Sequence, residues 1–466
     1  MKHVSTTPST TQGAGNSFRS RHVCAAIVCL QCCIAPLAAQ TLPDLWKRIA
    51  TSEPTFLAAQ AQTQAIAERE NQSFAQFLPQ VNMTANTTRN SRQYETTGAF
   101  ANVSQDRYNS NGSQINITQS LWKRANHVAH SQAKAATEQS RLQFLATQQD
   151  LLSKLVSSWA EVAFAKDALK TSIAMEVVAM QQLTNYERGF SLGLYALNQR
   201  DDARAKQQQA LADRYAAEAE LFSRHIVLEQ LVGKLPSLDD RTLRFGRNKV
   251  PFESLKPLVA FTESIDTTNP NIQAAEQALI VAKEEVRKQQ AQHGATLDLV
   301  AGIGHNSQPS TGAIPSQSGF KSRLDTVALQ LNLPIYSGGG QSSKVREVVA
   351  LAAKAEYELD SAKRNALSQA SQAWAQLRTT QVKFEAAEQN LIAGQSSERV
   401  AILGQKTGTK TLLDELQAKQ QVETARRDSR RAYYDNLIGM AKLMAASGLI
   451  EEATLVDFER RLINPN

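Results

Sequence analysis

From Arg124 to about Arg188 the chain runs some 65 residues without Pro or Gly, and from Gln341 to Leu403 the only interruption is Gly394. At 1.5 Å per residue, a continuous helix over either stretch is roughly 95–100 Å long. One globular chain cannot surround such a rod, so it belongs to a coiled coil or to a tube of packed helices. On the first rod Leu142, Leu145, Leu152, Val156, Trp159, Val162 and Leu169 supply a seam, and Ala160 and Ala163 permit close approach. Composition agrees, with aromatic residues at only 6% of the chain and much of the rest Ala, Gln, Leu and charged residues.

The rods belong to two copies of one unit. Pro54, in Glu53-Pro54-Thr55-Phe56, and Pro270, in Asn269-Pro270-Asn271-Ile272, lie 216 positions apart. At the same offset Leu78-Pro79-Gln80-Val81 answers Gly294-Ala295-Thr296-Leu297. The pattern Gly189-Phe190-Ser191-Leu192-Gly193 matches Gly404-Gln405-Lys406-Thr407-Gly408 at an offset of 215, as does Gly233 with Gly448. Four matches in order, at nearly constant spacing, indicate internal duplication. The first repeat is read as 40–235, with strands 80–90 and 114–122, long helix 124–188 and returning helix 196–232. A linker over 236–265 follows. The second repeat is 266–449, with strands 295–305 and 325–336, long helix 341–403 and returning helix 411–446, and a tail occupies 450–466.

Each half opens with a helix of about 30 residues, in which Leu42, Leu45, Trp46 and Ile49 share a face and Phe56, Ala59 and Ile66 resume it. Two strands follow. Val81 and Met83 alternate with Asn82 and Thr84, Ile115 and Ile117 with Asn116 and Thr118; Leu297, Leu299, Ala301 and Ile303 form a third apolar row, Val327, Leu329, Leu331 and Leu333 a fourth. A period of two puts one face in an apolar setting and the other in water. The joining segments 91–113 and 306–323, rich in Asn, Ser, Gly and Gln, are read as exposed loops. Four strands cannot close a barrel, and open edges are intolerable in lipid, so a membrane reading requires several chains to pool their strands; the alternative is a strand pair facing a soluble core.

Residues 1–39 read as a signal peptide: Arg19 and Arg21 precede an apolar run from Val23 to Leu37, and Ala38-Ala39 offers a cleavage site. All four cysteines (Cys24, Cys29, Cys32 and Cys33) fall there, so the mature chain is expected to carry neither disulfides nor thiolate metal sites. That segment holds Lys2, Arg19 and Arg21 and no acid, so without it the formal charge falls from +7 to +4. So small a charge, with no basic run interleaved with aromatics, argues against nucleic acid as a partner. His127 and His130 are i,i+3 with no carboxylate until Glu138, and Gly338-Gly339-Gly340 lacks the Lys-Ser/Thr of a phosphate loop. No enzyme chemistry, cofactor or metal is expected.

Helix, strand pair, long helix, glycine turn and returning helix, all done twice, resemble the TolC family of outer-membrane channels. The stretches that carry the resemblance are Leu331-Asn332-Leu333-Pro334-Ile335-Tyr336-Ser337-Gly338-Gly339, Thr407-Gly408-Thr409-Lys410-Thr411-Leu412-Leu413-Asp414 and Phe77-Leu78-Pro79-Gln80-Val81. The resemblance implies a mixed α/β membrane protein: a homotrimer whose chains give four strands each to a 12-stranded β-barrel in outer-membrane lipid, continued by a periplasmic α-helical barrel. It implies a periplasmic adaptor (membrane fusion) protein and an inner-membrane transporter as partners, in the envelope of a Gram-negative bacterium.

It also implies where passage is controlled. In such channels the periplasmic end is narrowed just after the glycine turns (here Gly189 and Gly193, Gly404 and Gly408) by rings of aspartates. Asp414 matches the first ring; Gln417 stands at the second, with Glu415 beside Asp414. In the first half Gln199 answers Asp414 and Asp202 answers Gln417, with Asp201 adjacent. A Tyr and an Arg that hold the family's closed state are replaced here by Gln405 and Lys410, and Lys lacks the planar fork of Arg. The preferred use is type I secretion of a toxin-like protein with an ABC transporter; the alternative is drug efflux, and a periplasmic adaptor is the third reading.

Overall fold

The computed structural model describes residues 41–96, 102–234, 255–310 and 319–462. The expected signal peptide 1–39 and most of the expected linker 236–265 lie outside them. The opening helix is two helices rather than one: α1 (Leu42–Ser52) and α2 (Pro54–Ala75). A residue before Pro is pushed out of the helical region. Glu53 accordingly sits at φ −75°, ψ 117°, and its carboxylate accepts from Thr55 N to cap α2. The second half repeats the device. Asn269 ends the short α6 (Ile265–Thr268), which follows α5 (Val259–Thr262), and caps α7 (Pro270–Ala291) through Asn271 N at 2.9 Å.

The strands β1 (Gln80–Thr96), β2 (Asn102–Trp122), β3 (Thr296–Gln308) and β4 (Phe320–Asn332) form one antiparallel sheet in chain order. Much of the segments 91–113 and 306–323, expected as loops, is therefore strand. Arg89 pairs with Asn109 and Gln93 with Gln105, so the ladder continues where both faces are polar. In water neither face needs to be apolar, and alternation is lost while pairing persists. Register places Val81, Ile117, Ala301 and Val327 in one row across the sheet, and Met83, Ile115 and Ile303 in the next. Leu299 with Leu329, and Leu297 with Leu331, add two more rows on the same face. Val81, Met83, Val327, Leu329 and Leu331 are all exposed in the single chain. β1 and β4 are edges with one neighbour each.

Below the sheet run α3 (Arg124–Ser191), α4 (Leu197–Val232), α8 (Gly340–Lys406) and α9 (Leu412–Ala446). Gly339, at φ 77°, makes the sharp turn into α8. α3 packs against α2, α4, α7 and α9, whereas α8 has α7 and α9 as its main neighbours. The core sits at the waist. Leu152, Leu155, Val156, Trp159 and Val162 of α3 meet Leu42, Leu45 and Trp46 of α1, Leu228 of α4 and Leu437 of α9. The expected tail is in part a helix, α10 (Glu452–Leu462), which adds Leu455 and Phe458 to that core. Ile450, just before the helix, is buried in the same cluster, and these three side chains fasten its three turns to the core.

Candidate functional site

The two glycine turns have one backbone. In the first, α3 ends in a Schellman arrangement: Leu194 N donates to Gly189 O (2.7 Å) and Gly193 N to Phe190 O (3.0 Å). In the second, Thr409 N donates to Gly404 O (2.8 Å) and Gly408 N to Gln405 O (3.2 Å). Gly193 (φ 72°) and Gly408 (φ 76°) hold the left-handed position, which costs other residues free energy through their Cβ. Gly189 and Gly404 serve differently. A Cβ on Gly189 would lie 2.2 Å from the Tyr195 ring, and one on Gly404 would lie 2.8 Å from Cγ of Lys410. Each thus leaves room for the residue six positions on, which folds back across the turn.

The returning helices begin alike. Ala196 and Thr411 are extended N-caps (ψ 157° and 161°), and Gln199 and Asp414 both stand at the third helical position. Gln199 Oε1 accepts from Ala196 N (3.1 Å). Asp414 Oδ2 accepts from Thr411 N and from Thr411 Oγ1 (both 2.8 Å), while Asp414 N donates to Thr411 Oγ1 (3.2 Å), a complete capping box. These hydrogen bonds, first from the Thr411 backbone and then from its hydroxyl, hold the Asp414 carboxyl below the usual carboxylate range, and the charge of Lys410 adds to them. The Gln199–Asp414 equivalence read from spacing is therefore also an equivalence of caps.

The other candidates divide by what they touch. Asp201 is paired with Arg200 (2.7 Å), and Glu415, largely covered, with Lys419 (2.7 Å). Gln405 and Gln417 are exposed. Asp202 is exposed and makes no hydrogen bond or ion pair among the described residues. It lies near Tyr186, whose hydroxyl pKa is raised by burial and then by Tyr195 and Asp202. Among the described residues no hydrogen bond or ion pair joins 186–202 to 404–419.

Sequence reasoning passed over an aromatic cluster at the first turn. The Tyr186 and Tyr195 rings pack at a tilt of 54° with centroids 4.8 Å apart, and the Arg200 guanidinium lies 4.8 Å from the Phe190 centroid. Tyr195 stands 215 positions before Lys410, so the duplication itself pointed to it. Tyrosine and arginine sought at the second turn are thus present at the first.

His127 and His130 are accounted for away from the turns. His127 packs its ring at a tilt against Phe77, centroids 4.8 Å apart, and His130 Nδ1 shares a 2.9 Å hydrogen bond with Ser73 Oγ, beneath the sheet. Among the described residues no group of His, Asp and Glu is placed to hold a metal.

Both repeats match the family described as outer membrane efflux protein, over residues 45–234 and 263–449. The chain belongs to that family. It is an outer membrane efflux protein of the TolC type, with its sheet in the outer membrane and its long helices in the periplasm. It is 26% identical over 425 residues to outer membrane protein TolC of Vibrio cholerae, covering 90% of this chain and 93% of that one. It is 24% identical over 408 residues to the alkaline protease secretion protein AprF of Pseudomonas aeruginosa, covering 87% and 83%. The fold matches the Campylobacter jejuni CmeC outer membrane channel, with a TM-score of 0.71 at 15% identity over 90% of this chain and 89% of that one. It also matches the open state of the Neisseria gonorrhoeae MtrE outer membrane channel, with a TM-score of 0.63 at 19% identity over 88% and 90%. An outer membrane efflux protein works as an exit channel, and both secretion and efflux relatives stand among these matches.

Proposed function

We propose that three copies of this chain close into a 12-stranded barrel and form the exit channel of an efflux system, with a periplasmic adaptor and an inner-membrane transporter. The observation that carries the barrel is the open four-stranded sheet, apolar on one face, with both edges unpaired. Its four rows, apolar except at Gln119 and Asp325, run roughly 20 Å along the strands, which at a tilt of about 40° spans the middle part of the apolar band of an outer-membrane barrel. Trp122 and Tyr336, exposed at the helix-side end, suit the headgroup boundary. Closure satisfies every edge, which lipid demands. The helices agree: Phe222 of α4 and Tyr357 of α8 stand 66% and 74% exposed and need a neighbouring copy to cover them. Leu192 and Leu194, 73% and 72% exposed at the first turn, offer an apolar tip for the adaptor.

Within the aperture, Asp202, repeated three times around the axis, is the carboxylate that faces passing charge. Asp414 is committed to its cap, and Asp201 and Glu415 to neighbouring cations. A ring of unpaired carboxylates favours cations. Reversal potentials of the purified channel in planar bilayers test this. Asp202→Asn is expected to lower cation preference clearly, Asp414→Asn less. Equal or absent effects would remove Asp202 from the lining, and a detergent-purified protein without conductance would end the channel reading.

Efflux replaces secretion as the leading use. The family description names efflux, and the solved channels of the same fold lean that way. Secretion of a protein substrate through an ABC transporter stays as the second reading, on the similarity to AprF and to the proteases secretion protein PrtF of Dickeya chrysanthemi. A deletion strain separates them. Efflux predicts hypersensitivity to dyes and hydrophobic antibiotics with an unchanged culture supernatant. Loss of a single large secreted polypeptide without hypersensitivity would restore secretion.

A further inference from the structure

Beyond its apolar rows, away from the helices, the same face of the sheet becomes basic. Register carries it through Ser113, His305 and Arg323 in one row and Asn111, Ser307 and Lys321 in the next. On the first two strands it continues to Arg89, opposite Asn109, and to Arg107, opposite Ser91. All four cations are exposed. The carboxylates at strand positions of this face are Asp325, which accepts from Arg323 Nε at 3.1 Å, and Glu95 near the tip. Four cations against two acids leave an excess of two positive charges. Strand positions of the opposite face hold Arg92 against Asp106 and Asp298, an excess of one negative charge. Arg89, Arg107 and Lys321 make no ion pair among the described residues. The joining segments 97–101 and 311–318 contain no charged residue to neutralise them. At the helix-side end the chain instead leaves β4 through Leu333 and Ile335, both exposed.

We propose that this basic girdle binds the phosphate groups of lipid headgroups in the leaflet that faces away from the periplasm. The inference rests on the outer-membrane placement of the sheet and gives that placement a specific ligand. Depth is set by the apolar rows. Acyl chains cover Met83, Ile115 and Ile303, the next rows reach the boundary, and long side chains carry their charges to headgroup level. There His305, Ser307, Lys321 and Arg323 border a hollow of about 380 Å³, so hydroxyl and N–H donors stand beside the cations. A phosphate offers several acceptor oxygens on one anionic centre, which suits both the guanidinium fork and the lysine point charge. Lys321 and Arg323, two positions apart on one strand, repel each other until such an anion lies between them. A patch meant for passing solute belongs on the other face. Confinement of the positive excess to the lipid side selects a lipid.

Native mass spectrometry tests the assignment. The full chain, purified in detergent, is mixed with dioleoyl phosphatidic acid or dioleoyl phosphatidylcholine, and retained lipids are counted. Phosphatidic acid is expected to be retained preferentially, and an equal concentration of inorganic phosphate should not displace it. The double variant Arg89→Gln/Lys321→Gln should lower that preference about tenfold or more. Arg92→Gln, on the opposite face, should leave it unchanged. Should the double variant fail to assemble, Lys321→Gln alone decides, with an expected loss of about fivefold. An undiminished preference in these variants, an equal loss in Arg92→Gln, or displacement by inorganic phosphate would overturn the proposal. Conductance of the same preparations keeps the two readings apart. A conducting channel without lipid preference overturns the girdle alone, whereas a preference that follows the variants in a protein without conductance overturns the channel and leaves the girdle.

Discussion

In the first turn Tyr195 lies over Gly189 and packs against the Tyr186 ring, whereas 215 positions later the same backbone site holds Lys410 over Gly404. The first returning helix starts on Ala196, which offers no side-chain acceptor; the second starts on Thr411, with a full capping box. Both carry a side-chain cap from the third helical position; the first turn adds rings packed on its side, and the second adds the Thr411 hydroxyl that completes its capping box. Duplication kept the backbone, which four hydrogen bonds and two left-handed glycines define, and left the fastening free to diverge. The lesson is that equivalent loops in a duplicated chain need not respond alike to the same perturbation.

The sharpest way to break this comparison is at the glycines that make room. Gly189→Ala should destabilise the first turn by about 1–3 kcal/mol, because a rigid ring must leave its seat. Gly404→Ala should cost less, since the Lys410 stem can rotate away. Hydrogen exchange at 186–200 and 404–418 reads both, and equal losses would show that the rings fasten nothing. Next come the caps. Thr411→Ala should cost about 1 kcal/mol at the start of α9, while Ala196→Thr should gain somewhat less at the start of α4, both measured by local exchange.

The pH response should also separate the two turns. The folded-state pKa of Asp414 is depressed, so its contribution is present above the ordinary carboxylate value of about 3.9 and is lost as pH falls through the lower folded value. Exchange at Leu412–Leu416 should therefore accelerate only in strong acid, and Asp414→Asn should abolish that dependence; the first turn, capped by Gln199, should show none of it. The smallest effect lies at the alkaline end. The Tyr186 pKa is raised, so its contribution is complete below the ordinary tyrosine value of about 10 and is lost as pH rises through the folded value. Tyrosinate absorbance should show late titration of both Tyr186 and the more deeply buried Tyr434, and Tyr186→Phe should remove the earlier of the two steps.

Much of this architecture was legible in the sequence because it rests on long, regular signals. The rods 124–188 and 341–403 read as helices from the near absence of Pro and Gly, and they run on to Ser191 and Lys406. Strand identity was legible where one face is apolar, as in Val81–Met83 and Val327–Leu331. Strand length was not, because beyond Asn86 the ladder pairs polar with polar and periodicity carries no information. At the site, the Gly189/Gly193 and Gly404/Gly408 pattern was readable as a turn. What Gly189 and Gly404 serve was not, since the side chains they admit lie six positions away across a reversal of direction. Asp414 was singled out for its charge, and its cap with Thr411 shows that the same residue also has a local structural duty.

The meeting of α1 with α10 bears on the order in which this protein can be completed. Leu42, Leu45, Trp46 and Ile49 are buried together with Ile450, Leu455 and Phe458, some 400 positions later in the chain. Helix α1 therefore has no finished seat until α10 has been made. Contacts so distant along the chain form slowly, because the intervening loop must close first. Loss of the final dozen residues would thus be felt at the opposite terminus, in a helix that no truncation had touched.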